Sequence, residues 1–234
     1  MLPNPFKNKI LRALDAEAIE RLKLKPLKLE SGRQIENPGE PINNLFFIED
    51  GIGSMTSTFR DGFQVEVSMY GVESVMGASA LIGTRRSLNK VCMQMTGYGY
   101  SCTTASAIRE FSRFDRFHDL VLRYIQAQLV QASQSAGCNA RHNVSQRLAR
   151  WLLLCADRSE SPTLSLTHEY LADMLGSNRS TVSIAAENLQ REKLIQYCRG
   201  KVTILDRSSL EHCSCECYRV VKDHLDNYLE IQQD

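Results

Sequence analysis

The sequence predicts an α+β chain: an N-terminal β-roll of jelly-roll type with flanking helices, a long central helix, and a C-terminal winged helix-turn-helix. Three observations carry this prediction. From about residue 27, short runs such as "PLKLE", "NLFFIEDGIGSMTSTF" and "FQVEVSMYG" alternate apolar and polar side chains between the turn signals "SGR", "NPGEP" and "RDG", the period of half-buried strands. Between His118 and Asn139 a stripe of mostly apolar and small residues recurs in alternating steps of four and three, which is a helical heptad. Farther on, "LTHEYLADMLGSNRSTVSIAAENL" holds two short helical patterns around one glycine and is followed by the hairpin-like "IQYCRGKVTILD".

The totals set the bounds. A chain of 234 residues has room for one large domain or two modest ones, and 43% hydrophobic with 24% charged residues is ordinary globular composition. No apolar run approaches a membrane span, and "MLPNPFKNKILRAL" lacks a secretory pattern, so no membrane partner is expected. Eight cysteines (Cys92, Cys102, Cys138, Cys155, Cys198, Cys213, Cys215, Cys217) are scattered without a repeating framework. That pattern suits reduced thiols and a cytoplasmic location. Net charge is only +1, but it is unevenly spread. Residues 141–204 hold nine Lys/Arg against six Asp/Glu, and residues 205–234 hold three against seven. A basic segment of this kind permits nucleic-acid binding without proving it.

Taken in order, the chain opens with short amphipathic helices carrying Ile10, Leu11, Leu14, Ile19 and Leu22. The strand pattern continues through "SLNKVCMQMTGYGYSCTT" and completes a sensor domain over residues 1–115. One helical stretch is then expected from near Ser106 to about Ala140, with residues 116–140 forming a dimerisation helix and hinge. On it His118, Leu122, Ile125, Leu129, Ala132, Ala136 and Asn139 make the narrow seam along which two helices wind together. The proposed dimer contacts are Leu122, Ile125, Leu129, Ala132 and Ala136. Another helix follows with Val144, Leu148, Trp151, Leu152 and Cys155, and "ESPTLSLT" breaks it with a possible short strand. Residues 141–234 are the expected DNA-binding domain.

Within that domain Thr167 suits the N-cap of a helix that ends at Gly176, a residue fitted to the left-handed C′ position. Ser177 or Asn178 can cap the second helix, whose Val182, Ala185, Ala186 and Leu189 form an inner face. The second helix of such a pair can enter the major groove of DNA. Arg199 and Lys201, at the tip of the following hairpin, are placed for phosphate.

"RLARWLLLCADR…LSLTHEYLADMLGSNRSTVSIAAENLQREKLIQYCRGKVTILD" resembles the DNA-binding module of the CRP/FNR transcription regulators. The order of parts resembles that family across essentially the whole chain, with "NPGEPINNLFFIEDGIGSM" as the best match in the β-roll. The resemblance implies a homodimer on a palindromic double-stranded operator. It also brings in RNA polymerase and an unidentified small-molecule effector as further partners. The family's base-reading positions fall on Arg179, Ser180 and Ser183. Arg179 can fork to a guanine edge, Thr181 suits phosphate, and Asn178 and Thr167, at the two helix starts, complete the expected DNA-facing set. Two positions depart from the well-studied members: Ser180 replaces a glutamate and Ile184 a basic reader, so the best-known family operator is not expected. In the β-roll, the effector positions read Gly77-Ala78 and Asn89-Lys90 in place of a Gly-Glu and an Arg-Ser pair. The ribose loses its carboxylate and the phosphate its planar guanidinium, so cyclic AMP is not the expected ligand and no cofactor is assigned. Arg85 and Arg86 in "GTRRSL" read as a solvated loop. An N-terminal cysteine cluster is ruled out, since the first cysteine is Cys92.

"HCSCECY", residues 212–218, could hold a metal, sense oxidants or simply pack. On one continuous final helix, capped by Asp206 or Ser208, Leu210, Cys213, Cys217, Val220, Val221, Leu225 and Tyr228 form an apolar stripe. Cys213 and Cys217 are then buried small hydrophobes, and Cys215 is exposed. On such a helix the thiols do not converge, and a metal site would need the helix to unwind or ligands from elsewhere. No metal site is therefore assigned. A redox- or metal-responsive regulator using Cys138 or this cluster stands as the alternative. A thiol enzyme using His118, His142, His168 or His212 lacks any recognisable motif.

Overall fold

Asn8 anchors the first helix. Its side-chain oxygen accepts from the amides of Ile10 and Leu11, capping α1 (Lys9–Arg12), while its amide nitrogen donates to the carbonyls of Ile48 and Ser74. In this computed structural model, which describes residues 5–83, 85–159, 161 and 163–230, the buried asparagine ties the first turn to the sheet behind it. Asp15 caps α2 (Ala16–Leu22), and Arg21 from that helix forks onto the buried Glu110 at 2.7 and 2.9 Å, a strong bidentate geometry.

The strands that follow are β1 (Lys25–Leu29), β2 (Gln34–Glu36), β3 (Asn44–Thr58), β4 (Gln64–Tyr70), β5 (Val75–Met76) and, after the short α3 (Ser79–Ile82), β6 (Lys90–Thr103). They form one sheet in the order β1-β6-β3-β4, with β2 paired to β6 and β5 to β3. The glycines of "TGYGY" are required where β6 passes β3. A Cβ on Gly97 would stand 1.9 Å from the Asp50 carbonyl oxygen, and one on Gly99 2.1 Å from that of Phe47.

The single helical stretch expected from near Ser106 is two helices, α4 (Thr104–Phe111) and α5 (Arg116–Arg141). Thr103 caps the first through the Ser106 amide, and the chain then turns through Phe114 at φ +55° before Asp115 restarts it. Helix α5 has two apolar faces. Phe117, Leu120, Val121, Tyr124, Ala127 and Cys138 are buried, whereas Leu122, Leu129 and Ala136 lie on an open face.

Asn143 and Gln146 then form a reciprocal capping box for α6 (Val144–Ala156). The remaining elements are β7 (Thr163–Ser165), α7 (His168–Leu175), α8 (Arg179–Arg191), β8 (Ile195–Cys198), β9 (Lys201–Ile204), α9 (Arg207–Cys213) and α10 (Cys217–Asn227). The three strands pair in the order β7-β9-β8. Trp151, Leu148 and Leu152 of α6, Leu171 and Leu175 of α7, and Val182, Ala186 and Leu189 of α8 are all buried.

Two compact units result. One comprises Met1–Met55, Met69–Leu129 and Leu225–Asp234; the other comprises Thr56–Ser68 and Val130–His224. The tip of the β3–β4 hairpin thus counts with the second unit, where Glu66 accepts from the Trp151 indole at 3.0 Å and Ser68 from Gln131 at 2.6 Å. Among the described residues, no helix is long and apolar enough to cross a membrane.

Candidate nucleic-acid interface

Helix α7 is capped as the sequence suggests: Thr167 accepts from the Tyr170 amide at 3.1 Å, and Gly176 ends the helix at φ +54°. A side chain there would meet left-handed strain as well as Val65, 2.9 Å from the added Cβ. Asn178, of the two candidates, caps α8. Its Oδ1 accepts from the Thr181 amide and from the hydroxyls of Ser180 and Thr181, at 2.7–2.8 Å. Ser180 and Thr181 therefore spend their donors on the cap and must rotate to reach a phosphate.

Arg179, the first residue of α8, stands apart from this arrangement. It is exposed, and its nearest acid is Glu169, with Nε–Oε2 at 3.8 Å between two solvated side chains. Such an exposed pair is worth little, and the guanidinium stands in solvent. Ser183 lies one turn on and is tied inward: its hydroxyl donates to the Arg179 carbonyl at 2.9 Å and lies 2.8 Å from His168 Nδ1. With the serine proton on that carbonyl, the imidazole carries its hydrogen on Nδ1. His168 also stacks on Tyr197 at 4.4 Å and 15°, and the Tyr197 hydroxyl donates to the Leu166 carbonyl. Burial, and then the Arg179 charge, hold the His168 imidazole below its usual pKa. This stack braces the recognition helix against the hairpin, and the sequence reading missed it. Ile184, 59% exposed, shares the open face.

The hairpin tip is a two-residue loop. Cys198 pairs with Lys201, and Arg199 and Gly200 between them both have positive φ, at +49° and +73°. This is the primed turn that matches strand twist, and Arg199 occupies it at a cost that Gly or Asn would avoid. Arg199 and Lys201 both point into solvent.

Leu122, Ile125, Leu129, Ala132 and Ala136 fall together on the open face of α5, with Leu129 65% exposed.

In the sheet unit, Gly77, Ala78 and Asn89 line a cavity of about 50 Å³ with Glu36, Tyr70 and Gln128; Lys90 does not line it. Glu36 occupies this place itself: its carboxylate accepts from the Gly77 amide at 3.0 Å and the Ser87 hydroxyl at 2.7 Å, and burial raises its pKa. Small-molecule sites are usually about 300–1,000 Å³.

The cysteine expectations need correction. The final helix is broken: α9 stops at Cys213, Ser214 turns extended with its hydroxyl donating to the Glu211 carbonyl, and α10 begins at Cys217. Serine satisfies its own helix end in this way and competes with helix continuation. As a result Cys215 is buried at 3% exposure, Cys213 is partly exposed near Glu192, and Val220 is exposed. Cys215 and Cys217 turn inward to meet Cys138 of α5 and His142 just beyond its end.

Residues 146–213 match the family model of the Crp-like helix-turn-helix domain. The chain is 23% identical over 228 residues to the global nitrogen regulator of Synechococcus elongatus, covering 90% of this chain and 98% of that protein. Among solved structures it is similar to FixK2 from Bradyrhizobium japonicum, with TM-score 0.70, 15% identity and coverage of 82% and 98%. It is also similar to a CRP/FNR-family transcriptional regulator from Thermus thermophilus, with TM-score 0.63, 20% identity and coverage of 81% and 98%.

Proposed function

We propose that this chain, which has the CRP/FNR fold and a Crp-like helix-turn-helix domain at residues 146–213, is a DNA-binding transcription regulator acting as a homodimer on a palindromic operator. The observation that carries the reading is Arg179, solvated at the first position of α8 while its neighbours cap the helix and a basic hairpin tip lies in the same unit. The N-terminal turn of a recognition helix is where side chains meet base edges in the major groove. Arg199 and Lys201 would hold phosphate, with Ser180, Thr181 and the Thr167 end of α7 as secondary backbone contacts. Symmetric reading needs two recognition helices roughly 34 Å apart, and the open stripe Leu122–Ala136 of α5 supports pairing with a second copy.

A signal received in the β-roll would set that spacing by binding one arrangement better than the other. Cyclic AMP is not its expected form, because Glu36 already holds the Gly77 amide and the remaining cavity is about 50 Å³. The regulator would work in the cytoplasm, with RNA polymerase as a further partner. Binding-site selection followed by gel shift tests the reading. A palindrome should emerge, and Arg179→Ala should lose about 1–3 kcal/mol per half-site with relaxed preference at one base. If no palindrome is enriched, or Arg179→Ala binds as well as the parent, the reading fails.

A further inference from the structure

Cys138 is on the last turn of α5 and His142 follows the helix end, its amide donating to the Cys138 carbonyl at 3.0 Å, so the two stay on one face. Cys215 lies in the joint between α9 and α10, Glu216 follows in a turn, and Cys217 opens α10, with the Tyr218 amide donating to the Cys215 carbonyl at 3.1 Å. The three Sγ atoms and one imidazole nitrogen all lie within 4.8 Å of one another. Cys138 and Cys215 have their sulfurs 3.5 Å apart, and Cys217 Sγ is 3.6 Å from His142 Nδ1. A tetrahedral ion with metal–sulfur bonds near 2.3 Å and metal–nitrogen bonds near 2.0–2.1 Å spaces its ligands by roughly 3.5–3.8 Å. The four ligands of an iron–sulfur cluster are divided among two or four iron atoms, so they do not all lie within one such short span.

We propose that Cys138, His142, Cys215 and Cys217 form a closed mononuclear site for a divalent ion of the zinc class, clamping the end of α5 to the α9–α10 joint. Packing alone would explain three buried sulfurs, but not the groups around them. Glu216 Oε2 lies 3.2 Å from His142 Nε2. It accepts the outer ring N–H and turns Nδ1 toward the sulfurs, the carboxylate–histidine arrangement typical of metal ligands. Gln134 Nε2 donates to Cys217 Sγ at 3.1 Å, a bond that suits a thiolate. Three thiolates, a neutral imidazole and a divalent ion carry one net negative charge. Nearby Arg150 is a buried guanidinium whose Nε and Nη1 have no hydrogen-bond partner among the described residues. Binding the ion would release the protons of all three thiols to solvent. All four positions are taken by protein, so the ion has no vacant coordination for substrate and its role is structural.

The test is elemental analysis of the full chain, purified with reductant and without chelator, and of the metal-stripped chain titrated with Zn²⁺ or Co²⁺. One zinc per protomer is expected, released by a thiol-specific mercurial, with the cobalt form giving a tetrahedral thiolate spectrum. Cys215→Ser and Cys217→Ser should lose the ion, whereas Cys213→Ser and Cys198→Ser should keep it. Glu216→Gln should weaken zinc by about 10–100-fold. Should the ligand variants fail to fold, the stoichiometry and cobalt spectrum of the parent chain still decide. Parent protein that takes up neither ion stoichiometrically would overturn the proposal. So would iron recovered with matching inorganic sulfide, or Cys213→Ser losing the metal as Cys215→Ser does. DNA binding plays no part in these readouts, so they stand or fall apart from the proposed function.

Discussion

Two regions of the second unit carry chemistry in opposite ways. The recognition surface is local and open: Asn178, Arg179, Ser180 and Thr181 are consecutive, and the turn that presents them is set by Gly176. The cysteine cluster is distant in sequence and closed. Its halves lie more than seventy residues apart, with α6, the helix-turn-helix and the hairpin between them in sequence. The first surface needs solvent exposure to work, whereas the second depends on excluding solvent, because a buried thiolate keeps its charge only beside a cation. Changes at the open surface should therefore alter affinity without altering stability, and changes at the cluster should do the reverse.

The sharpest break would come at Arg179. A homodimer carries two copies, so Arg179→Ala should cost roughly 2–6 kcal/mol of operator affinity in total. Thermal unfolding should hardly move, since the side chain is exposed and only loosely paired to Glu169. Next in size is zinc. With free ion at about a thousand times its dissociation constant, the site should contribute about 4 kcal/mol to stability. Chelation should then lower the melting temperature of the parent and leave that of Cys217→Ser unchanged. If removing zinc abolished operator binding without touching stability, the division between the two regions would collapse.

The contrast also explains what could be read from the sequence. The position of Arg179 at the start of α8 was legible because capping residues, a C′ glycine and helical periodicity are local rules, and they place a side chain without long-range information. The β-roll followed from period-two alternation, and the open apolar stripe of α5 from its heptad. The cluster was hidden for a physical reason. Extrapolating the apolar stripe from Leu210 to Tyr228 assumes a continuous helix, but the chain leaves the helix at Ser214, which is extended, and restarts at Cys217. Two signals were present nonetheless. A Cys-x-Cys step puts its thiols on one side only when the backbone is not helical, and Cys138 and His142 are four residues apart, one helical turn. Neither signal shows that the two pairs meet; only the fold does that. The same holds for Glu36, since nothing near it in sequence tells that it would fill the Gly77 position.

Leu129 tests the seam on the same principle. It is 65% exposed, so Leu129→Asp should leave the single chain's stability within about half a kcal/mol. In a dimer it removes two buried leucines and opposes two carboxylates. Burial alone is worth about 1.5–3 kcal/mol per side chain, so the dimer dissociation constant should rise at least about 100-fold by analytical ultracentrifugation. A variant that stays dimeric would move the interface off this face.

His168 is smaller in effect and lies beneath the open surface. Arg179 and Glu187 are the charges that act on its ring, and Ser183 and Tyr197 are its contacts. Its pKa in the fold lies below the ordinary value near 6.5, so the fold favours the neutral ring. The stabilisation is complete above that ordinary value and is lost as pH falls through the folded one. Urea midpoints should therefore drop modestly on acidification in the parent and less in His168→Gln.

The smallest effect separates affinity from stability at a single residue. Arg199 holds φ +49° at the hairpin tip, a left-handed conformation that costs most residues roughly 1 kcal/mol and asparagine less. Arg199→Asn should raise stability by a few tenths of a kcal/mol. It should also weaken all DNA sequences about equally and reduce the slope of log affinity against log salt by about one for each chain bound. A loss confined to one operator would instead make Arg199 a base reader, and an unchanged slope would take the hairpin tip off the phosphate backbone.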